Sequence, residues 1–317
     1  MDDDNENEVE KGLIDTLEPV AVAEEEEAIP VSADMLPLTP ELIASSLSLV
    51  ARTAQGLSHA FTRLEIHEKE ITNLNALETY PHLRYVDCSD NNLVNIEGLN
   101  NLKYLLALNL QNNYISSIPS GLDRREFLQH VNLAKNNFKD WTVNYWPMCS
   151  FLNLNENKLT ESVTFDGYPE LLHLELRANK FKATPEKLVA PKLQRLYLGA
   201  NEISSIKFSE LPTLQVLNLR ANKIDKLEGF DKLPNLVYLN LRTNKVDSMA
   251  QIDNLINLRS LRILILIENP IEHTDSYRLE VVSRLYKLER LDKDQVSNEE
   301  REEAFALRVT YHITSHK

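Results

Sequence analysis

The stretch Leu214–Ile224 reads LQVLNLRANKI, and its Leu214, Leu217, Leu219, Asn222 and Ile224 fill the template LxxLxLxxNxL. Leu236–Val246, LVYLNLRTNKV, is close to a copy. Anchored on the asparagine, the phrase recurs at Lys69 (a degenerate match), Asn91, Asn113, Asn136, Asn157, Asn179, Asn201, Asn222, Asn244 and Asn269. Successive spacings are 22, 22, 23, 21, 22, 22, 21, 22 and 25 residues. A fixed period of this length marks stacked structural units, none of which can bury its own apolar face alone. The chain is therefore expected to be a solenoid.

Within each unit the leucines two apart, such as Leu217 and Leu219, alternate with outward residues, the period of a half-buried strand. The asparagine then turns the chain, and its amide can satisfy backbone groups that the turn leaves unpaired. A second apolar set follows, for example Leu227, Phe230 and Leu233, or Ile96, Leu99 and Leu102. Its spacing of three suits a short 3₁₀ return segment. Strands about 4.8 Å apart in ten rungs make an inner sheet roughly 45 Å long. That length suits a protein that holds other proteins.

The net charge of −14 is unevenly placed. Residues 1–40 contain 13 acidic residues and one lysine, leaving about −2 for the rest. This acidic leader, with Asp2–Asp4 and Glu24–Glu27 and no aromatics, is expected to be disordered and would repel a phosphate backbone. No run of eighteen apolar residues and no basic start with a hydrophobic core is present, so neither a membrane span nor a conventional secretion signal is expected. Cys88 and Cys149 fall on leucine positions of the template and read as buried hydrophobes rather than a disulfide or metal pair.

Thr39-Pro40-Glu41 reads as a helix start, and Ile43, Leu47, Val50 and Ala54 follow at helical spacing until Gly56. A capping helix over 39–57 would cover the open end of the first rung. Two places in the array are irregular. Trp141, Tyr145 and Trp146 lie in one return segment, either filling a widened coil or forming a convex patch for a partner. Three extra residues near Ile252–Arg262 read as a bulged loop. Beyond Pro270, Asp275-Ser276 can cap a helix whose Tyr277, Val281, Leu285 and Leu288 share one face. The expected divisions are an acidic leader 1–38, a capping helix 39–57, repeats 58–272, a carboxy-terminal cap 273–295 and a short charged tail 296–317, whose run Asn298–Glu303 into Phe305 and Leu307 can continue as an exposed helix.

Seven glycines leave no phosphate-cradling loop, and HExxH and paired CxxC are absent. His130 and His173 share a column two rungs apart, about 10 Å, too far for one metal. No catalytic residue, metal or cofactor is expected. What remains is the outward face of the strands. One column holds Asp87, Asn109, Asn132, Asn153, Glu175, Tyr197, Asn218 and Asn240. A second holds Arg177, Arg220 and Arg242, and a third Tyr85, His130, Phe151, His173, Arg195 and Tyr238. Stacked asparagines could simply bond to one another, but aromatics alternating with Arg and His have the composition of a binding face. The arginines could pair an acidic partner segment bidentately.

The 22-residue period with asparagine at the turn, and the closing NPIEHTDSYRLEVVSRLYKLERLD of 269–292, resemble the phosphatase-regulator-like subclass of leucine-rich repeats. The block PLTPELIASSLSLVARTAQGLSHAFTRLEIHEKEITNLNALETYPHLRYVDCSDNNL of 37–93 is similar to the amino-terminal block of the radial-spoke leucine-rich-repeat proteins of motile cilia, in GLSHAF and HLRYVD above all. The resemblance spans roughly residues 36–295 and implies an α/β leucine-rich-repeat solenoid, a curved parallel sheet of about ten repeats with helical caps at both ends. It further implies a non-enzymatic subunit of the axonemal spoke head that contacts other spoke proteins, with no nucleic acid, membrane or small-molecule partner. A longer charged tail would be expected from it. A phosphatase regulator and a dynein-associated light chain are the alternatives within the same subclass.

Overall fold

The computed structural model describes residues 36–314, apart from 54, 55, 57, 144 and 186. The acidic runs Asp2–Asp4 and Glu24–Glu27 lie outside the described residues. Helix α1 (Pro40–Ser46) leads into β1 (Leu47–Arg52) and β2 (His59–Glu65). Nine three-residue strands follow: β3 (Tyr85–Asp87), β4 (Ala107–Asn109), β5 (His130–Asn132), β6 (Phe151–Asn153), β7 (His173–Glu175), β8 (Arg195–Tyr197), β9 (Val216–Asn218), β10 (Tyr238–Asn240) and β11 (Ile263–Ile265). A helical turn α2 (Met249–Ile252) precedes β11, and α3 (Tyr277–Arg284), β12 (Arg290–Leu291), β13 (Asp294–Gln295) and α4 (Asn298–Thr314) close the chain. All strands join one sheet in chain order. β2 to β12 pair in parallel, each shifted by one repeat, and only the end pairs β1–β2 and β12–β13 are antiparallel.

The middle residue of every rung, Leu64 through Leu217 to Leu291, is buried, as are the leucines after each strand. Leucine and isoleucine fill this interior because identical rungs stacked in register present matching apolar layers. Behind the sheet the return segments take up 3₁₀ turns at Asn75–Thr79, Glu97–Asn101, Asp253–Leu255 and Pro270–His273. The three extra residues before β11 are absorbed by α2 and the 3₁₀ turn after it, so the expected bulged loop is helical. Gly98 is fixed by close approach: a Cβ there would sit 1.8 Å from the Leu74 carbonyl oxygen of the previous return.

Each template asparagine is buried and stitches two rungs together. Asn222 donates from Nδ2 to Leu219 O at 2.9 Å and to Leu198 O of the preceding rung at 3.0 Å, while its Oδ1 accepts from Ile203 N at 2.9 Å. The residue before each asparagine is left-handed: Asp90, Asn112, Lys135, Glu156, Ala178, Ala200, Ala221, Thr243 and Glu268 have φ between 51° and 61°. None is glycine, so each turn carries strain of about 1–2 kcal/mol that its hydrogen bonds outweigh. Thr243 is the least suited, being β-branched at φ 55°. Thr243→Gly is expected to be neutral or to raise stability by up to about 1 kcal/mol, the lost Oγ1 bond to Glu268 at 2.5 Å offsetting part of the gain. A fall of more than this in the denaturation midpoint would show the hydroxyl to outweigh the strain.

Two terminal expectations are corrected. The amino-terminal helix stops at Ser46 instead of continuing to 57; Thr39 Oγ1 caps Leu42 N at 3.2 Å and Ile43 is its buried residue. Leu47–Arg52 is a strand because β2 would otherwise leave a row of backbone groups without partners, which a helix cannot supply. At the other end Ser276 is left-handed at φ 57° and makes no side-chain cap on α3, although Val281, Leu285 and Leu288 are buried as expected. The charged run Asn298–Glu303, read as the start of an exposed helix, opens α4, which docks on α3. Ser297 Oγ accepts from Glu300 N at 3.2 Å and Glu300 Oε2 accepts from Ser297 N at 2.8 Å, a reciprocal cap. Arg278 of α3 pairs with the same Glu300 and donates to Leu291 O at 3.1 Å and Gln295 O at 2.9 Å.

Candidate protein-binding face

The register aligns two of the three outward columns across adjacent rungs. Tyr85, Ala107, His130, Phe151, His173, Arg195, Val216 and Tyr238 follow one another, and Asp87, Asn109, Asn132, Asn153, Glu175, Tyr197, Asn218 and Asn240 run beside them. Arg177, Arg220 and Arg242 lie two residues further on in their repeats.

The asparagine column is chiefly a backbone device. Oδ1 of Asn109, Asn132, Asn153, Asn218 and Asn240 accepts from the backbone N–H two residues on, at 3.0–3.2 Å. Asp87 does the same with Ser89 N at 3.1 Å. These side chains close the end of each strand, which is the local bond that Asn and Asp make most readily. Bonds along the column are fewer, such as Asn109 Nδ2 to Asp87 Oδ2 at 2.9 Å.

The aromatic column forms a continuous stack in the middle of the sheet. The His130 and Phe151 rings lie parallel with centroids 4.1 Å apart, Phe151 meets His173 edge-on at 5.0 Å, and His173 stacks on Tyr197 at 5.1 Å. Phe151 thus separates the two imidazoles. Arg177 also packs over Tyr197, its guanidinium carbon 4.4 Å from the ring centre. Glu175 ties the group together: Oε1 lies 3.0 Å from His173 Nε2 and Oε2 accepts from Asn155 Nδ2 at 2.7 Å. Burial pushes the Glu175 carboxyl up, but the His173 bond, the Arg177 charge and the Asn155 amide outweigh it and hold it below the usual range. Burial, and then the His173 charge, lower His130.

Exposure trims the expected face. Tyr197, Tyr238, Asn218 and Asn240 are buried by their neighbours across the rungs. Arg242 has a side chain only 18% exposed and pairs with Glu268 of the next rung. Arg195 is exposed and Arg220 half-buried, and neither makes an ion pair with a described residue. Of the expected aromatic and basic residues, His130 and Arg195 are exposed and Phe151, His173, Arg177 and Arg220 half-buried, with Tyr85 under the Arg63 guanidinium nearer the amino terminus.

The convex patch is corrected more sharply. Trp141 and Trp146 are buried and meet edge-to-face at 5.7 Å, with Phe138 and Tyr168 on either side. Trp141 Nε1 donates to Tyr168 Oη and Trp146 Nε1 to Leu122 O, each at 3.0 Å. Both indoles fill the widened coil, and only Tyr145 stays exposed. Cys88 and Cys149 are free and buried, and burial pushes the Cys149 thiol up to about 12. Sequence reasoning missed a second exposed group, the stacked Tyr104–Phe127 pair and Met148, which occupy one template position on successive rungs just before the strands. Their shared place, one residue ahead of Leu105, Leu128 and Cys149, was the available signal.

A family model described as leucine-rich repeat matches residues 173–311. Leucine-rich repeat-containing protein 23 of Bos taurus is 36% identical over 276 residues, covering 86% of this chain and 80% of the relative. The Xenopus tropicalis protein of that name is 39% identical and covers 85% and 77% respectively. Among solved structures, the Drosophila Toll–Spatzle complex aligns with a TM-score of 0.57 at 19% identity, over 74% of this chain and 34% of that one, a likeness of fold alone. A solenoid of this kind is a protein-interaction module, and at this identity and coverage the chain belongs to the leucine-rich repeat-containing protein 23 family.

Proposed function

We propose that this protein is a non-enzymatic scaffold subunit of the radial spoke head in the axoneme of motile cilia and flagella, where it holds other spoke proteins. The observation that supports binding is the His130–Phe151–His173 stack with Arg195 and Arg220 beside it, an aromatic and basic surface on a rigid sheet. The resemblance of residues 37–93 to the radial-spoke proteins supports the location. A partner segment that is extended and acidic would meet both kinds of group: aromatic faces for its apolar side chains and guanidinium groups for its carboxylates.

A tagged copy in ciliated cells, followed after detergent has removed the membrane and soluble matrix, tests the location. Retention along the axoneme is the expected result, and release with the soluble fraction or a nuclear signal would overturn it. Reversing charge at Arg195 and Arg220 (Arg195→Glu with Arg220→Glu) is expected to weaken partner assembly at least about tenfold while leaving the melting temperature within a few degrees. Arg242→Glu is a poor substitute, because it breaks the pair with Glu268 as well. Normal incorporation of the double variant would remove the arginines from the binding surface.

A further inference from the structure

The thirteen-stranded sheet ends on β1 at one side and β13 at the other, and the two edges are finished differently. β13 is two exposed residues, Asp294 and Gln295, preceded by Asp292 and Lys293. Short, charged edge strands are one way in which sheets avoid pairing with other chains. β1 runs for six residues, LSLVAR, with Arg52 its one charge. Leu49 is 53% exposed and Val50 57%, and across from Val50 on β2 Phe61 is 48% exposed. Alternation assigns Leu49 to the face of Thr62, which is buried. At φ 56°, however, Leu49 breaks the alternation, and its carbonyl accepts from Thr62 Oγ1 at 2.7 Å. Two apolar side chains in a row therefore stand in solvent on the outermost strand. That arrangement is costly for a chain that stays alone.

We propose that β1 is the surface through which two copies of this chain associate, edge to edge and antiparallel about a two-fold axis. The contrast between the edges selects this geometry. Head-to-tail joining would need β13 as the counterpart, and β13 is short and charged, whereas a two-fold contact uses one surface twice. Antiparallel pairing sets the Leu49–Val50 pair of one chain against the Val50–Leu49 pair of the other. Charge selects the direction. One end of β1 is basic: Arg52 is exposed, and Arg84 donates from its guanidinium to Arg52 O at 3.1 Å. Neither makes an ion pair with a described residue. The other end joins α1, which carries exposed Glu41. Antiparallel strands bring the basic end of each copy to the acidic end of the other, and parallel strands would bring like ends together.

The test is the mass of the full chain in solution, by light scattering and sedimentation equilibrium. A dimer with a dissociation constant on the order of 10 µM is expected for a small interface. Val50→Lys and Leu49→Asn should each weaken association at least about tenfold, with the circular dichroism spectrum unchanged. The asparagine variant keeps the test open if lysine disturbs the fold, because asparagine tolerates a positive φ. Asp294→Lys, at the opposite edge, should leave the dimer intact. Three results would overturn the proposal: a monomer at every concentration up to about 100 µM, association that neither β1 variant weakens, or association that Asp294→Lys abolishes.

Discussion

Replacing Leu217 by Asp is expected to unfold the rungs around it and to lower the melting temperature by roughly 10–20 °C. Leu217 is fully buried and lies in register between Leu196 and Leu239, so the carboxylate would face leucine on both sides. Losing the buried side chain costs about 2–5 kcal/mol, and a carboxyl group with no partner adds several more or must take up a proton. Because rungs are stabilised by their neighbours, the damage should spread along the array. Leu217→Met, which conserves volume, should cost less than about 1.5 kcal/mol. Thermal denaturation of the two variants measures both effects. An aspartate variant that melts with the parent would mean that water reaches this layer.

The second large effect is expected at Asn201, where leucine in place of the amide should cost about 3–5 kcal/mol. The size of the side chain is nearly kept, so the loss is one of hydrogen bonds. Nδ2 donates to Leu176 O at 2.9 Å, Leu198 O at 3.0 Å and Gly199 O at 3.2 Å. Oδ1 accepts from Asn179 N at 3.1 Å and Phe181 N at 3.2 Å. Removing the amide leaves buried N–H and C=O groups without partners, at about 1–3 kcal/mol each before relaxation. The denaturant midpoint, with the slope as a check on two-state behaviour, reads the change. A cost under about 1 kcal/mol would show that the turn finds other partners.

Much of this architecture could be read from one period. The leucine and asparagine positions recur because every rung repeats the same two demands, an apolar layer and a sealed turn. The features that the period does not encode were harder to see. Ile43, Leu47, Val50 and Ala54 have helical spacing by coincidence, and pairing with β2 decides the matter from outside the segment. The left-handed position before each asparagine is filled by Asp, Asn, Lys, Glu, Ala or Thr, so composition marks nothing there. On the candidate face the columns were legible, but exposure was not. Tyr197 and Tyr238 are covered by side chains from adjacent rungs, and Arg242 is held by Glu268. For Trp141 and Trp146 the sequence left packing and a surface patch both open, and burial decides for packing, because their size is what a widened coil needs inside it.

The asparagine bonds also have a direction. Leu93 N is accepted by Asn113, Phe138 N by Asn157, Ile203 N by Asn222 and Val246 N by Asn269, always one repeat later. Asp292 bonds backward at the end as well, though to strand-end groups, accepting from Leu266 N at 2.6 Å and Ile267 N at 3.0 Å. A nascent chain leaving the ribosome therefore carries one open turn until the following twenty or so residues emerge. Vectorial synthesis and the polarity of these bonds run the same way, so each newly made repeat locks the one before it. A chain released early, at any point before Asp292, would end on an unlocked rung.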